Sequence, residues 1–218
     1  MPNNNKLNRY VLTEELYSLL KQQIMSHSMS AGDRINIDKM ARELGVSNIP
    51  IREALFRLAS EGFVNIVPFK GMFVAEMSLK DIDEIFEIRT QLEELSLRKA
   101  LPNIPSERLE QILHSLTSQA AAGEGMDEEQ VIARMNDDLH GTILSFADNG
   151  NLTRIVSSLI ERIHRYLNLY HYKIDMGAER LEHASVVRAL LDRDPERAVL
   201  AMRQHLQNSH ARIRDSFE

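Results

Sequence analysis

Gly45-Val46-Ser47-Asn48-Ile49-Pro50-Ile51-Arg52-Glu53-Ala54-Leu55-Phe56-Arg57-Leu58 is the stretch whose reading decides the fold. Gly45 suits a turn and Ser47 can N-cap a helix. Pro50 falls in that helix's first turn, where its missing N–H costs nothing, because the first amides of a helix have no intrahelical partner. Ile51, Leu55 and Leu58 follow at i, i+4 and i+7, which makes one apolar stripe. Asn48, Arg52 and Phe56 lie on a different stripe, one turn apart. A short helix from Asp38 to Leu44 precedes across Gly45 and Val46. The arrangement predicts a helix-turn-helix whose second helix shows Asn48 and Arg52 to the outside.

Working outward, Thr13 to about His27 reads as an amphipathic helix with Leu16, Leu19, Leu20 and Ile24 on one face. Ser30 to Arg34 is a turn, and Ile35 and Ile37 flank a short extended piece. Gly62 closes the second helix of the motif, Phe63 to Val67 alternates as a strand, Pro68 to Gly71 turns, and Met72 to Ala75 makes a partner strand. Three helices with a two-stranded hairpin predict a winged helix over residues 11–77, after a polar, disordered lead at 1–10. The wing tip offers Lys70, a cation, and Gly71, a backbone with no side chain in the way, both suited to phosphate or minor-groove contact.

Residues 78–218 read as an all-α antiparallel bundle. Ser78 with Asp81 resembles a capping box opening a helix to about Ala100, which Pro102 and Pro105 end. Ser106 is placed to cap the next, which runs to the Ala120–Gly123 region. Gly125 and Asp127 open another to Ala147, and Asp148 to Asn151 turns. Leu152 to about Tyr172 and Glu179 to Leu191 follow, then a helix from Asp194-Pro195 to about Phe217. The fold expected is mainly α, a winged helix-turn-helix followed by a helical bundle.

The 218 residues carry no cysteine, which excludes disulfides and thiolate metal sites and suits a reducing cytoplasm. No apolar run approaches the ~20 residues of a membrane helix. Met1 to Lys6 lacks the pattern of a signal peptide, so an intracellular location is expected and no membrane partner. The net charge of −6 is unevenly spread. Residues 1–77 sum to +1 and residues 78–218 to −7, and seven of the eight histidines lie in the second part, so two modules with different partners are expected.

Among those histidines, His140 follows Asn136 by four residues, so both leave one helix face a turn apart. His183 and His205 lie on later helices. All three histidines have apolar neighbours at helical spacing: Leu139 and Ile143, Val186 and Val187, Met202 and Leu206. Side chains from several bundle helices can ring a metal, and neutral imidazole suits Zn²⁺, Ni²⁺ or Cu²⁺. By spacing alone, the pair also reads as surface residues, and His183 and His205 as satisfied core or surface positions. His114, His164, His171 and His210 read as solvated or capping residues. Arg89 sits near the core stripe of its helix and needs an anion, either Glu93 at i+4 or a ligand carboxylate.

Ala31-Gly32-Asp33-Arg34-Ile35, Leu44 to Ser47, Pro50 to Leu55, Glu61-Gly62 and Gly71 to Val74 together resemble a GntR-family winged helix. Arg89 to Glu93, Asn136 to His140, Asn149 to Asn151, Glu182-His183 and Asp194 to Leu206 resemble the FadR-type, FCD ligand-binding domain. The resemblance runs from Thr13 to about Arg212. It implies a homodimeric transcription regulator, with a repressor as the working expectation. Ser47, Asn48, Ile49, Arg52, Lys70 and Gly71 would contact double-stranded operator DNA, one half-site per subunit. It implies further that Asn136, His140, His183 and His205 hold a divalent metal, zinc foremost, with nickel or another transition metal as alternatives. Arg89 would take a small carboxylate effector, in a cytoplasmic, nucleoid-associated protein.

Two positions depart from that family's pattern. Asn136 stands where aspartate is common, and its neutral amide is the weaker ligand, so lower metal affinity is expected; Asp137 could substitute only if the helix rotates. Ser47-Asn48-Ile49-Pro50 replaces Ser-Arg-Thr-Pro, which removes a candidate guanine contact. Asn48 suits adenine instead and Ile49 a thymine methyl, so a more A·T-rich operator is expected. Arg52 matches the family's arginine, and its alternative is a salt bridge to Glu53 or Glu61. Two rival functions stand beside this one. In the first, a metal-dependent hydrolase uses the three histidines to activate water. In the second, a regulator has a bundle that only dimerises.

Overall fold

The computed structural model of the chain describes residues 4–118, 128–169 and 175–215. It forms two compact units, Met1–Ser78 with His164–Leu169, and Leu79–Ile163 with Tyr170–Glu218.

In the first unit, α1 (Asn4–Met25), α2 (Ile37–Leu44) and α3 (Asn48–Ser60) precede strands β1 (Val64–Val67) and β2 (Gly71–Val74). The strands pair antiparallel from Val64 opposite Val74 to Val67 opposite Gly71, and Arg34 adds an isolated bridge to Phe73. This is the winged helix. The stripe on α3 is the reason it holds: Ile51, Ala54, Leu55 and Leu58 are all 0% exposed, packed with Leu16, Leu20 and Ile24 of α1 and with Phe63 and Val74 of the wing. Removing one such side chain, as in Leu55→Ala, costs about 2–5 kcal/mol.

Three details depart from the sequence expectation. First, α1 begins at Asn4 rather than Thr13, so residues 4–10 are helical and not a disordered lead; between Asn4 and Met25 no proline or glycine interrupts the backbone. On α1 the buried face carries Tyr17 with Leu16, Leu20 and Ile24, while Leu19 turns outward. Second, Ser47 occupies the N-cap of α3 in extended conformation but makes no side-chain capping bond. Of the two amides an N-cap can accept from, the third helical residue's is missing, because Pro50 has no N–H. Third, α2 is capped by Asn36, whose Oδ1 accepts from Lys39 N–H at 2.9 Å, and ends at Gly45 with φ +67°, a left-handed turn that glycine reaches without strain.

The segment His164–Leu169 sorts with this unit, and hydrogen bonds join the two. Arg165 Nη2 donates to the Ala75 carbonyl at 2.9 Å, His27 Nε2 lies 3.0 Å from the Arg165 carbonyl, and the Ser78 N–H donates to Tyr166 Oη at 3.0 Å.

The second unit is helical throughout its described residues. It holds α4 (Leu79–Ala100), α5 (Ser106–Thr117), α6 (Glu128–Asn136), a π turn (Asp137–Gly141), α7 (Thr142–Phe146), most of α8 (Gly150–Leu169), α9 (Met176–Leu191) and α10 (Pro195–Asp215). α10 packs on α9 and α4, α5 on α9, and α4 on α7. Ile82, Ile85, Leu97, Leu109, Ile112, Val156, Val186, Val187, Met202 and Leu206 are buried between them. Pro105, not Ser106, is the N-cap of α5, and the Ser106 hydroxyl accepts from Arg193 Nη2 at 3.1 Å. The expected helix openings at Gly125 and Asp127, and the ends at Tyr172 and Phe217, lie outside the described residues, as does His171.

Candidate functional site

The sequence points to two places, one in each unit. On α3, Arg52 is exposed, Asn48 is half-buried and Ile49 is 54% exposed. The alternative partners of Arg52 are occupied elsewhere. Glu53 Oε2 accepts from Thr13 Oγ1 at 3.2 Å, and Glu61 accepts from Tyr17 Oη at 2.7 Å and pairs with Lys21 and Arg57. Among the described residues Arg52 and Lys70 make no ion pair, so both cations remain available to an external anion. Asn48 is not isolated: its Nδ2 donates to Asp38 Oδ1 on α2 at 2.7 Å, a contact that spacing did not show. Gly71 has φ +117°, which L side chains rarely adopt, so the bare wing backbone is a conformational requirement as well as a clearance.

In the second unit the structure brings together His140 from the π turn, His183 from α9 and His205 from α10. They are 1%, 0% and 3% exposed, and a ring nitrogen of each lies within 4.8 Å of the others. His183 Nε2 and His205 Nε2 are 3.2 Å apart. The His140 ring centroid stands 5.4 Å from each of the other two. Burial drives the His183 pKa well below the usual imidazole range, with His205 and His140 adding to it, and burial lowers His140 as well. Neutral imidazoles are lone-pair donors.

Carboxylates brace two of the three. Glu93 of α4, 1% exposed, accepts through Oε2 from His140 Nδ1–H, and Glu182 Oε2 accepts from His205 Nδ1 at 2.9 Å. With Nδ1 as the donor in both rings, each Nε2 keeps its lone pair, the carboxylate–imidazole arrangement that orients metal ligands. His183 Nδ1 is buried with no hydrogen-bond partner. If His183 donates its Nε2 proton to His205, that Nδ1 lone pair stays unsatisfied, at a cost of about 1–3 kcal/mol. The donor set of three imidazoles and no thiolate fits a borderline divalent ion such as zinc or nickel.

Arg89 joins this cluster through Glu93. Its Nε donates to Glu93 Oε1 at 2.5 Å, and its Nη2 lies 3.5 Å from His140 Nε2. The salt bridge to Glu93, one of the two expected partners, is therefore formed, yet it uses only Nε and leaves the terminal guanidinium nitrogens beside the histidines. Burial pushes the Glu93 carboxyl up, but Arg89 and His140 outweigh it and hold the pKa at about 2. Asn136 is the last residue of α6, half-buried, one turn ahead of His140. Asp137 is exposed and Asp138 pairs with Arg108 at 2.9 Å, so neither joins the histidine cluster. The π turn itself was not foreseen: Asp137 Oδ1 occupies the space that a Cβ on Gly141 would need.

Sequence reasoning missed Glu93 and Glu182 as braces, and also Glu179, whose Oε2 lies 3.7 Å from His183 Nε2 and 3.8 Å from His205 Nδ1. The four-residue spacing of Glu179 and His183 was the available signal. His210 is not simply solvated; it pairs with Asp83 at 2.7 Å and stacks on Phe86.

Comparison with known proteins joins the two halves. The profile of the bacterial regulatory proteins of the gntR family matches residues 12–74, and that of the FCD domain matches residues 84–208. The chain belongs to the GntR family, with an FCD domain. This GntR regulator is 26% identical over 206 residues to the HTH-type transcriptional regulator YdhC of Bacillus subtilis, covering 94% of this chain and 92% of that protein. It is 25% identical over 206 residues to the HTH-type transcriptional repressor RspR of Escherichia coli, covering 93% and 89% respectively. The solved structure of E. coli McbR/YncC superposes with a TM-score of 0.74 at 24% identity, over 95% of this chain and 99% of that one, which supports the fold. The GntR regulator is accordingly a DNA-binding regulator of transcription and not an enzyme, which removes the hydrolase alternative. Among the described residues no helix is long and apolar enough to cross a membrane.

Proposed function

We propose that this regulator binds a two-fold symmetric operator as a homodimer, and that its FCD domain senses a small carboxylate beside a bound divalent metal. His140, His183 and His205, with Asn136 as the fourth ligand, would hold the ion, which when bound supplies a Lewis-acid site for the carboxylate. Arg89 would orient that carboxylate with its terminal nitrogens while Glu93 holds its Nε. The observation that carries the reading is the trio of buried imidazoles with nitrogens within 4.8 Å of one another, braced by Glu93 and Glu182 and flanked by Arg89.

The DNA contacts proposed are Ser47, Asn48, Ile49 and Arg52 in the major groove, with Lys70 and Gly71 of the wing on the backbone or minor groove. Ser47 supports this, because its hydroxyl makes no capping bond. Repression is the mode proposed, by likeness to RspR, and the nucleoid of the cytoplasm the place. The effector acts by favouring one packing of the helical domain, with a coupling on the order of 1–3 kcal/mol.

The test is a thermal titration of the full chain with small mono- and dicarboxylates, with zinc present or chelated, alongside operator affinity. A sensed acid raises the melting temperature with metal present, does so less in Arg89→Lys, and changes operator affinity. Lysine keeps a cation for Glu93 but has no fork. Acids that bind equally with metal removed and in Arg89→Lys, or that leave operator affinity unchanged, contradict the proposal. The second reading, a bundle that only dimerises, draws on the Arg89–Glu93 pair, which satisfies the arginine internally at 2.5 Å; it predicts that no carboxylate shifts the melt.

A further inference from the structure

Phe69 is 109% exposed, the most exposed of the large hydrophobic side chains described. It lies in the turn between β1 and β2, and its φ is +62°, a left-handed conformation in which a bulky side chain is strained. The Lys70 N–H closes the turn on the Val67 carbonyl at 3.1 Å. Folding gains nothing from an aromatic residue here: no apolar area is removed from water, and glycine or asparagine would sit in this backbone at less cost. The use of the ring lies outside the chain.

Its neighbours indicate what it meets. Lys70 follows it, exposed and without an ion pair among the described residues. Arg34 Nε is 3.6 Å from where a Cβ on Gly71 would stand, and Arg34 is exposed as well. An exposed apolar ring on a wing that also carries two exposed cations is complementary to stacked bases lined by phosphates. Apolar side chains set in this way enter the minor groove and partly unstack one base step, kinking the duplex. We infer that Phe69 is a wedge that the wing inserts into the minor groove at one base step, while Lys70 and Arg34 neutralise the flanking phosphates. The inference rests on the DNA-binding function of the family and adds a second mode of selection. A pyrimidine–purine step such as TA or CA unstacks most readily, so the operator carries one where the wing lands, selected by deformability and not by hydrogen bonds.

The test uses the full chain and duplexes recovered from a randomised library by the wild-type protein. Phe69 is fully exposed, so Phe69→Ala melts as the wild type does. It is expected to lose roughly tenfold in affinity, the scale of one lost ring–base stack. It should keep the slope of log K against log salt and lose both the duplex bend, read by energy transfer between end labels, and the fluorescence rise of 2-aminopurine at the wedged step. Phe69→Trp retains all three. Lys70→Ala does the reverse, lowering the salt slope by about one while keeping the bend. Binding of Phe69→Ala within about twofold of wild type, with the bend intact, overturns the wedge. A change of oligomeric state without a change in DNA affinity also overturns it, since Phe69 would then face a second copy. A wild-type protein that selects no duplex fails earlier, at the DNA-binding function itself.

Discussion

His183 and His205 meet Nε2 to Nε2 at 3.2 Å in the interior of the helical unit, within reach of a single hydrogen bond. Glu182 fixes His205 from behind at 2.9 Å, and Glu93 does the same for His140, so the inward nitrogens are held in place before any ligand arrives. Such bracing spends one buried and one half-buried carboxylate on orienting imidazoles.

Glu93 is the residue on which that bracing turns. Glu93→Gln keeps the shape but removes the charge that holds both Arg89 and His140. Breaking a buried pair in this way costs about 3–5 kcal/mol, because the guanidinium stays buried without its anion. Urea unfolding of the metal-depleted chain measures it. A loss below about 1 kcal/mol would show that Arg89 finds another anion or water.

Acid should destabilise the metal-depleted protein in two stages. The pKa of His183 and that of His140 are lowered by burial, so below the unfolded value of about 6.5 the unfolded chain binds more protons and stability falls as pH drops. Glu93 and Glu182, each lowered from 4.5 to about 2, add stability above pH 4.5 that is lost as pH falls toward 2. Urea midpoints in a chelating buffer are expected to be flat above about pH 7 and to fall steadily below 6.5. Midpoints unchanged between about pH 7.5 and 5.5 would contradict the neutral, buried state of the histidines.

Much of this was legible in the chain. The stripe of Ile51, Leu55 and Leu58 specified the helix-turn-helix because burial on one helix face imposes its own period. Val186, Val187, Met202 and Leu206 gave His183 and His205 apolar neighbours at helical spacing, but spacing left open whether the two imidazoles face the core or the surface. What spacing does not show is the partner from another helix. Glu93 reaches His140 across 47 residues and Glu182 reaches His205 across 23, and no local pattern encodes either contact. The π turn was equally hidden, since no residue type in Asp137-Asp138-Leu139-His140-Gly141 marks an i→i+5 bond. For the unformed Ser47 cap the sequence already held part of the reason, since Pro50 removes one of the two amides that the hydroxyl could accept from.

Arg52, free of Glu53 and Glu61, is expected to be spent on DNA. Arg52→Ala should weaken operator binding by about 1–3 kcal/mol and relax one base position if it reads a base, or lower the salt slope by about one if it holds a phosphate. The metal and effector responses of the helical unit should not change. Operator titrations at several salt concentrations decide between the two, and unaltered binding would remove Arg52 from the interface.

Asp38 should set what Asn48 reads. The bond from Asn48 Nδ2 to Asp38 Oδ1, 2.7 Å long, orients the amide, leaving one N–H and the carbonyl oxygen to pair with adenine. Asp38→Ala frees the rotamer and should broaden preference at one position per half-site, while non-specific affinity holds or rises as a carboxylate leaves the interface. Selection from a randomised duplex library reads this directly, and an unchanged preference would mean that Asn48 does not read that base.

The central claim is that the braced imidazoles hold a metal, and elemental analysis of tag-free protein tests it most directly, with His183→Ala as the control. Near one zinc or nickel per chain in the wild type, lost in His183→Ala, is the predicted result. A wild-type protein that stays metal-free after incubation with excess zinc and then nickel, and whose melting temperature neither ion raises, would contradict it.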